Sequence, residues 1–404
     1  MEQHRIERLG HRGDGIAPGP VFAARTLPGE TVAGAVEGGR IAQPRILSPS
    51  PHRVAPPCRH YRSCGGCALQ HAEDGFVAEW KLDVVRQALA AQGLPAPIRR
   101  LHTSPGQSRR RAVLAGRRTK SGALLGFHGR ASDTITAIPD CRLLHPDLMA
   151  ALPALEGLIA QVASRKGALS LTVTRSEAGL DLAVTGGREA DRDLRAALAG
   201  WAAEADVARL SWNGETIVQA RAPYQRMGRA RVVPPPDAFL QATAEGEAAL
   251  RVSVSEALAG AGRVADLFSG CGTFALPLAA EAEILAVEGD SAMLAALDDG
   301  WRGAPGLHRV ATERRDLFRR PLLPDELARH DGICIDPPRA GAEAQSAALA
   351  AASPARIAFV SCNPVTFARD ARLLIGGGYR LDWIDVVDQF RWSPHVELAA
   401  AFRR

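Results

Sequence analysis

The sequence predicts an α/β protein: a doubly wound parallel sheet in the C-terminal part, preceded by a small β unit and a middle α+β region. Three observations predict this. From about residue 238, apolar runs suited to buried parallel strands (264–268, 284–287, 333–335 and 357–360) alternate with Ala-rich helical stretches. Residues 1–50 hold short apolar positions spaced by Gly and Pro, the pattern of a small barrel. Between them, residues 96–225 mix strand-like runs (124–127, 169–173, 180–184) with an Ala-rich helix near 191–204. The predicted division is 1–50, 51–237 and 238–404.

Taken in order, the N-terminal unit runs through Ile6, Leu9, Ile16, Val21-Phe22, Val32 and Val36, and Pro49, Pro51, Pro56 and Pro57 then stiffen a connector. A helix is predicted from Gly75 to Leu94, where Phe76, Trp80, Val84 and Leu89 recur near a 3.6-residue period and Gly93 closes it. The middle region carries a basic run, Arg109-Arg110-Arg111 and Arg117-Arg118-Thr119-Lys120, which suits either a solvated face or contact with RNA. With 46% hydrophobic and 23% charged residues over 404 positions, the chain is neither disordered nor fibrous and has length for two or three domains. No apolar run approaches the ~18–20 residues that cross a bilayer, and Met1-Glu2-Gln3-His4-Arg5 opens no apolar leader. A cytoplasmic monomer without membrane contact is expected. The formal charge of +5 permits a polyanionic partner, and all but three of the 49 basic residues are arginine, which suits phosphate contacts.

Five constellations carry chemistry. Cys58, Cys64 and Cys67 fall within ten residues, with Gly65-Gly66 among them and Cys141 downstream. Four thiolates at such spacing form a ligand set for an iron–sulfur cluster or for zinc, which spacing alone does not separate. Residues 264–274 run an apolar strand into the Gly-rich turn Ser269-Gly270-Cys271-Gly272-Thr273, where a nucleotide-like ligand can approach the backbone. The next strand ends in Glu288, an acid suited to ribose hydroxyls, and Asp316 follows the one after it. Gly270-x-Gly272-x-x-Ala275 also fits a weak dinucleotide fingerprint. Asp336-Pro337-Pro338-Arg339 closes another strand with a rigid loop that can read a planar base. Ser361-Cys362-Asn363-Pro364 puts a candidate nucleophile at a strand end, and Glu397, between Val396 and Leu398, is a candidate general base in an apolar stretch.

Together these elements resemble the RNA (uracil-5-)-methyltransferase family over nearly the whole chain. The resemblance implies a Rossmann-like class I methyltransferase domain at 238–404, a TRAM-like (OB-like) RNA-binding barrel at 1–50 carrying Gly13-Asp14-Gly15-Ile16-Ala17 and Leu27-Pro28-Gly29-Glu30, and a [4Fe–4S] site at Cys58, Cys64, Cys67 and Cys141 in the middle domain, 51–237. It implies S-adenosyl-L-methionine as methyl donor, with Gln241 (of Phe239-Leu240-Gln241), Phe268, Thr273, Glu288, Asp316 and Asp336 along the donor and uracil pockets. Cys362 would be the nucleophile and Glu397 the base. Thr243, Ser269 and Thr273 stand where the family commonly has Asn, Cys and Asn. The implied substrate is 23S rRNA; a tRNA uridine is the alternative within the family. Outside it stand a dinucleotide-dependent oxidoreductase and a non-catalytic RNA-binding module with a zinc knuckle. The chemistry accounts for the residue types. Uracil C5 becomes nucleophilic once a thiolate has added to C6, and a base must then remove the C5 proton so that the thiol can leave. The base must be unstacked for its ring face to be reached.

Overall fold

The structure, a computed structural model, describes residues 2–352 and 354–404. Its largest sheet has eight strands in the order Val310–Arg314, Glu283–Glu288, Arg263–Leu267, Gly332–Ile335, Arg356–Ser361, Glu397–Arg403, Arg380–Asp388 and Ile98–Thr103. The first five are mutually parallel, and Glu397–Arg403 runs antiparallel between its two neighbours. Strand order reverses at Arg263–Leu267, so a crevice opens beyond its carboxyl end.

The apolar runs follow from burial on both faces. Ile333, Ile335, Ile357 and Phe359 face one core with Phe367 and Phe402, while Cys334, Ala358 and Val360 face the other with Leu250 and Val254 of the helix Ala244–Ala257.

The helix Asp74–Ala90 and the strand Ile98–Thr103, expected in the middle region, lie on this sheet instead. Val85 and Leu89 pack in its core, and Lys81, wholly buried, places its Nζ 2.5 Å from Asp388 Oδ1. Such a pair is costly to break, because the surviving charge is left without a partner. The strand Ile98–Thr103 pairs in parallel with Arg380–Asp388.

A second sheet of seven strands occupies the middle of the chain, from Arg111–Arg118 to Glu215–Gln219, with the helices Pro146–Val162 and Arg192–Glu204 packed into its core. The N-terminal unit holds a three-stranded and a four-stranded sheet around Ile6, Ala17, Ala23, Val32 and Ile41. Buried Glu30 ties it to the connector. Burial alone would raise its carboxyl pKa, but Arg53 and the Leu27 and Ser50 N–H groups hold it below the usual carboxylate range. Among the described residues no helix is long and apolar enough to cross a membrane.

Candidate active site

Parallel strands deliver their last residues to one edge of the sheet, and an antiparallel strand delivers its first residue to that same edge. Phe268, Glu288, Asp336 and Cys362 therefore stand at or just past strand ends, and Glu397 begins the antiparallel strand, with Leu398 paired to Ser361.

The Gly-rich turn is shaped by positive φ at Phe268 (63°), Gly270 (55°) and Gly272 (96°). A Cβ on Gly272 would stand 2.9 Å from Leu276 Cδ1, so close packing demands glycine as well. The Glu288 carboxylate accepts the N–H groups of Gly270 (3.1 Å), Gly289 (2.7 Å) and Asp290 (3.0 Å). It locks the turn to the next strand and keeps one lone-pair site, on Oε2, free for a ligand. Behind the turn, Asp266 is fully buried with neither carboxyl oxygen hydrogen-bonded, and burial pushes its pKa up to about 7. Asp316 accepts the N–H groups of Phe318 (3.0 Å) and Arg319 (3.3 Å), and the Phe318 ring lies 5.4 Å from that of Phe268.

On the other side, the Asp336 N–H donates to the Leu267 carbonyl at 3.2 Å. Asn363 caps the helix Pro364–Gly376 and donates from Nδ2 to the Arg339 carbonyl at 2.9 Å, tying the Cys362 loop to the Asp-Pro-Pro-Arg loop. Three acidic groups crowd here. Burial pushes Glu397 up to about 7, and burial with the charges of Glu397 and Asp266 pushes Asp336 well above its usual range. Burial with the charges of Glu397 and Asp336 raises the Cys362 thiol to about 11, against the pull of Arg339.

All eight residues expected around the donor and the uracil line one cavity of about 1260 Å³: Gln241, Phe268, Thr273, Glu288, Asp316, Asp336, Cys362 and Glu397. Arg109, read in the sequence only as part of a basic run, and Arg339, read only as the end of the Asp-Pro-Pro-Arg loop, also stand on its wall; the sequence reading missed Gln389 behind it. Gln389 donates to both Gln241 and Glu397, and nothing local in the sequence marks it. Thr243 caps the helix Ala244–Ala257, its Oγ1 accepting the Gly246 N–H at 3.0 Å.

The basic run divides. Arg110 is buried, pairs with Glu247 and donates to the Gln241 carbonyl at 3.1 Å, so it supports the cavity wall from behind. Arg111 pairs with Asp237 at 3.0 Å. Only Arg117, Arg118 and Lys120 of the run are exposed.

Away from the cavity, Cys58, Cys64, Cys67 and Cys141 line one small hollow with Tyr61, Phe127 and Leu143. Gly65 is needed there, since a Cβ would stand 2.6 Å from the His128 carbonyl oxygen. The Gly66 N–H points at Cys64 Sγ (3.3 Å) and the Leu143 N–H at Cys141 Sγ (3.4 Å). Burial, then the charges of the neighbouring thiols, pushes Cys67 up to about 12. Among the described residues no group of three or more His, Cys, Asp or Glu is arranged to hold a metal ion. Cys271 and Cys334 are buried, in the turn and in a strand interior.

Comparison with known proteins agrees with this geometry. Residues 306–404 match the family model described as tRNA (Uracil-5-)-methyltransferase. An uncharacterized RNA methyltransferase of Mesorhizobium japonicum is 46% identical over 98% of this chain and 96% of its own. The 23S rRNA (uracil(1939)-C(5))-methyltransferase RlmD of Chromohalobacter salexigens is 35% identical over 97% of this chain and 87% of its own. The crystal structure of the Pyrococcus abyssi tRNA (uracil-54, C5)-methyltransferase in complex with S-adenosyl-L-homocysteine superposes with a TM-score of 0.78, covering 99% of both chains at 22% identity, and so shares the fold. With relatives this similar along nearly their whole length, and a matching family model over the segment that bears Cys362 and Glu397, the chain belongs to the RNA uracil-5-methyltransferase family.

Proposed function

We propose that the protein transfers a methyl group from S-adenosyl-L-methionine to C5 of a uridine in 23S rRNA through a covalent Cys362–C6 adduct. The observation that carries this reading is the single cavity shared by Cys362, Glu397, Asp336 and the Glu288 turn. S-adenosyl-L-methionine supplies an electrophilic methyl group on a sulfonium centre. Glu288 accepts a hydroxyl of its ribose, Phe268, Thr273 and Asp316 line its nucleoside, and Gln241 and Asp336 orient the reacting groups.

Deprotonated Cys362 forms the S–C6 bond as the C5–C6 π electrons move toward O4. C5 then takes the methyl group, and the electron pair of the broken S–CH₃ bond stays on the donor's sulfur. The Glu397 carboxylate removes the C5 proton, the C5–C6 double bond re-forms, and the C6–S bond breaks to release the Cys362 thiolate. A carboxyl pushed up to about 7 is matched to proton removal at neutral pH. The resting thiol, raised to about 11, is held unreactive until substrate and a cationic donor enter.

The four thiols are read as a [4Fe–4S] site: they line one hollow, and backbone N–H groups face Cys64 and Cys141. Such a cluster would join the 58–67 loop to Cys141 and hold the middle domain in place beside the RNA. Residues 1–50 act as a TRAM-like RNA-binding unit ahead of the middle (51–237) and catalytic (238–404) domains, and the enzyme works in the cytoplasm. A tRNA substrate is the second reading, favoured by the description of the matching family model.

Mass-spectrometric mapping of 5-methyluridine in rRNA and tRNA from a deletion strain tests the substrate. Loss of one 23S rRNA site supports the proposal, and loss only in tRNA replaces it with the second reading. In vitro, Cys362→Ala is expected to lower methylation by at least about 10³-fold while donor binding persists. Turnover near wild type would remove Cys362 from the reaction.

A further inference from the structure

Gln389 follows the strand Arg380–Asp388 and is 2% exposed. Its Oε1 accepts the Ala242 main-chain N–H at 2.7 Å. Because that N–H can only donate, the orientation of the Gln389 amide is fixed, and its NH₂ group must face the other way. Its two hydrogens go to Gln241 Oε1, at 2.5 Å, and to Glu397 Oε2.

Each partner is thereby constrained. Gln241 must present its oxygen to Gln389, which leaves its own NH₂ as a donor on the cavity side. Glu397 Oε2 must remain an acceptor, so a proton arriving on Glu397 goes to Oε1.

We propose that Gln389 is a positioning residue that selects the oxygen on which Glu397 takes the proton and the end of the Gln241 amide that faces the substrate. The inference rests on the reading of Glu397 as the base. The Gln389 N–H also opposes the effect of burial on the Glu397 carboxyl, favouring the charged form. The other groups facing that carboxyl are Asp336, past the strand Gly332–Ile335, and Cys362, past Arg356–Ser361. Arg109, Arg339 and His395 line the same cavity. None of these supplies a neutral N–H donor from behind Glu397, as Gln389 does.

The test is Gln389→Met in the full-length protein, with two readouts. The first is the titration of the Glu397 side-chain carboxyl by ¹³C NMR without ligands, the resonance identified by its loss in Glu397→Gln. The second is the pH dependence of kcat on substrate RNA. Glu397 must be deprotonated to act, so the rate rises with pH through its pKa. Losing a donor to the charged form moves that midpoint up, by about one pH unit for one charge-assisted hydrogen bond. From a starting point of about 7, turnover at pH 7 falls about fivefold and recovers above the new midpoint. KM for RNA rises as the Gln241 amide is freed to rotate.

An unmoved Glu397 midpoint overturns the proposal, as does a loss of kcat that is uniform across pH. If the wild-type protein methylates no RNA, the proposed function fails, while the NMR titration still decides the role of Gln389. Gly246→Ala provides a second variant should Gln389→Met unfold: its Cβ would stand 2.6 Å from Gln389 Cβ and push the amide off its partners, with the midpoint moving the same way.

Discussion

The cysteine hollow and the methyl-transfer cavity are built from the same material, burial-shifted acidic groups, and differ in how those groups are brought together. In the hollow, three thiols come from one ten-residue loop and a fourth from Cys141, and burial, with the charges of the neighbouring thiols, pushes Cys64, Cys67 and Cys141 upward. In the cavity, a thiol and two carboxyls arrive from three strand ends and are separately braced: Glu397 by Gln389, the Cys362 loop through Asn363, and Asp336 by the Leu267 carbonyl. Like groups that share one hollow, with Arg109 the counter-charge near Cys141, suit a ligand that replaces their protons; unlike groups with individual supports suit proton and bond transfer. The comparison teaches that crowding alone does not make a catalytic centre; the bracing does.

Breaking one region while watching the other sharpens that contrast. The largest expected effect is at Glu397. Glu397→Gln should lower turnover by about 10³-fold yet still permit thiol addition and methyl transfer. A denaturing gel with labelled methyl donor should then show a slow-migrating protein–RNA band that is absent when Cys362→Ala is added. Normal turnover in Glu397→Gln would move the base elsewhere, with Asp336 the next residue to examine. A smaller effect is expected from Glu288→Ala, which removes the carboxylate that locks the Gly-rich turn. Donor affinity, measured by calorimetry, should fall by about 10–100-fold, the value of one or two charge-assisted hydrogen bonds; affinity equal to wild type would exclude Glu288 from the donor site. The smallest effect on the cavity should come from Cys67→Ser. Anaerobically purified protein should lose its iron and sulfide, while donor affinity stays within about twofold of wild type, as expected for separated sites. Stoichiometric zinc and no iron in the wild-type protein would place the hollow in a different class of site.

Much of the cavity was legible because parallel strands buried on both faces read as unbroken apolar runs, and the reactive residue stands where each run stops. Glu288, Asp336 and Cys362 were found in this way. What was not legible depends on contacts distant in sequence. Gln389 stands 148 positions from Gln241, and Arg110 stands 137 from Glu247. Arg110 looked like part of a solvated or RNA-facing run until its burial was seen. Residues 98–103 fell within the middle region of the sequence reading with no strand assigned, since Arg99, Arg100 and His102 interrupt their apolar pattern. They hold the sheet edge through ion pairs instead, Arg99 with Asp385 at 2.6 Å and Arg100 with Glu256 at 3.0 Å.

The antiparallel strand Glu397–Arg403 is the last of the sheet in chain order, yet it lies between Arg356–Ser361 and Arg380–Asp388, both formed from earlier residues. It pairs with Arg380–Asp388 across a loop of eight residues, 389–396, and with Arg356–Ser361 over a longer stretch of chain. On the proposed mechanism the donor turn and the nucleophile precede it, so a chain without this strand would hold the means to capture a uridine without the base that lets it go. Completion of the sheet by its final strand would then also be what turns an RNA trap into a catalyst.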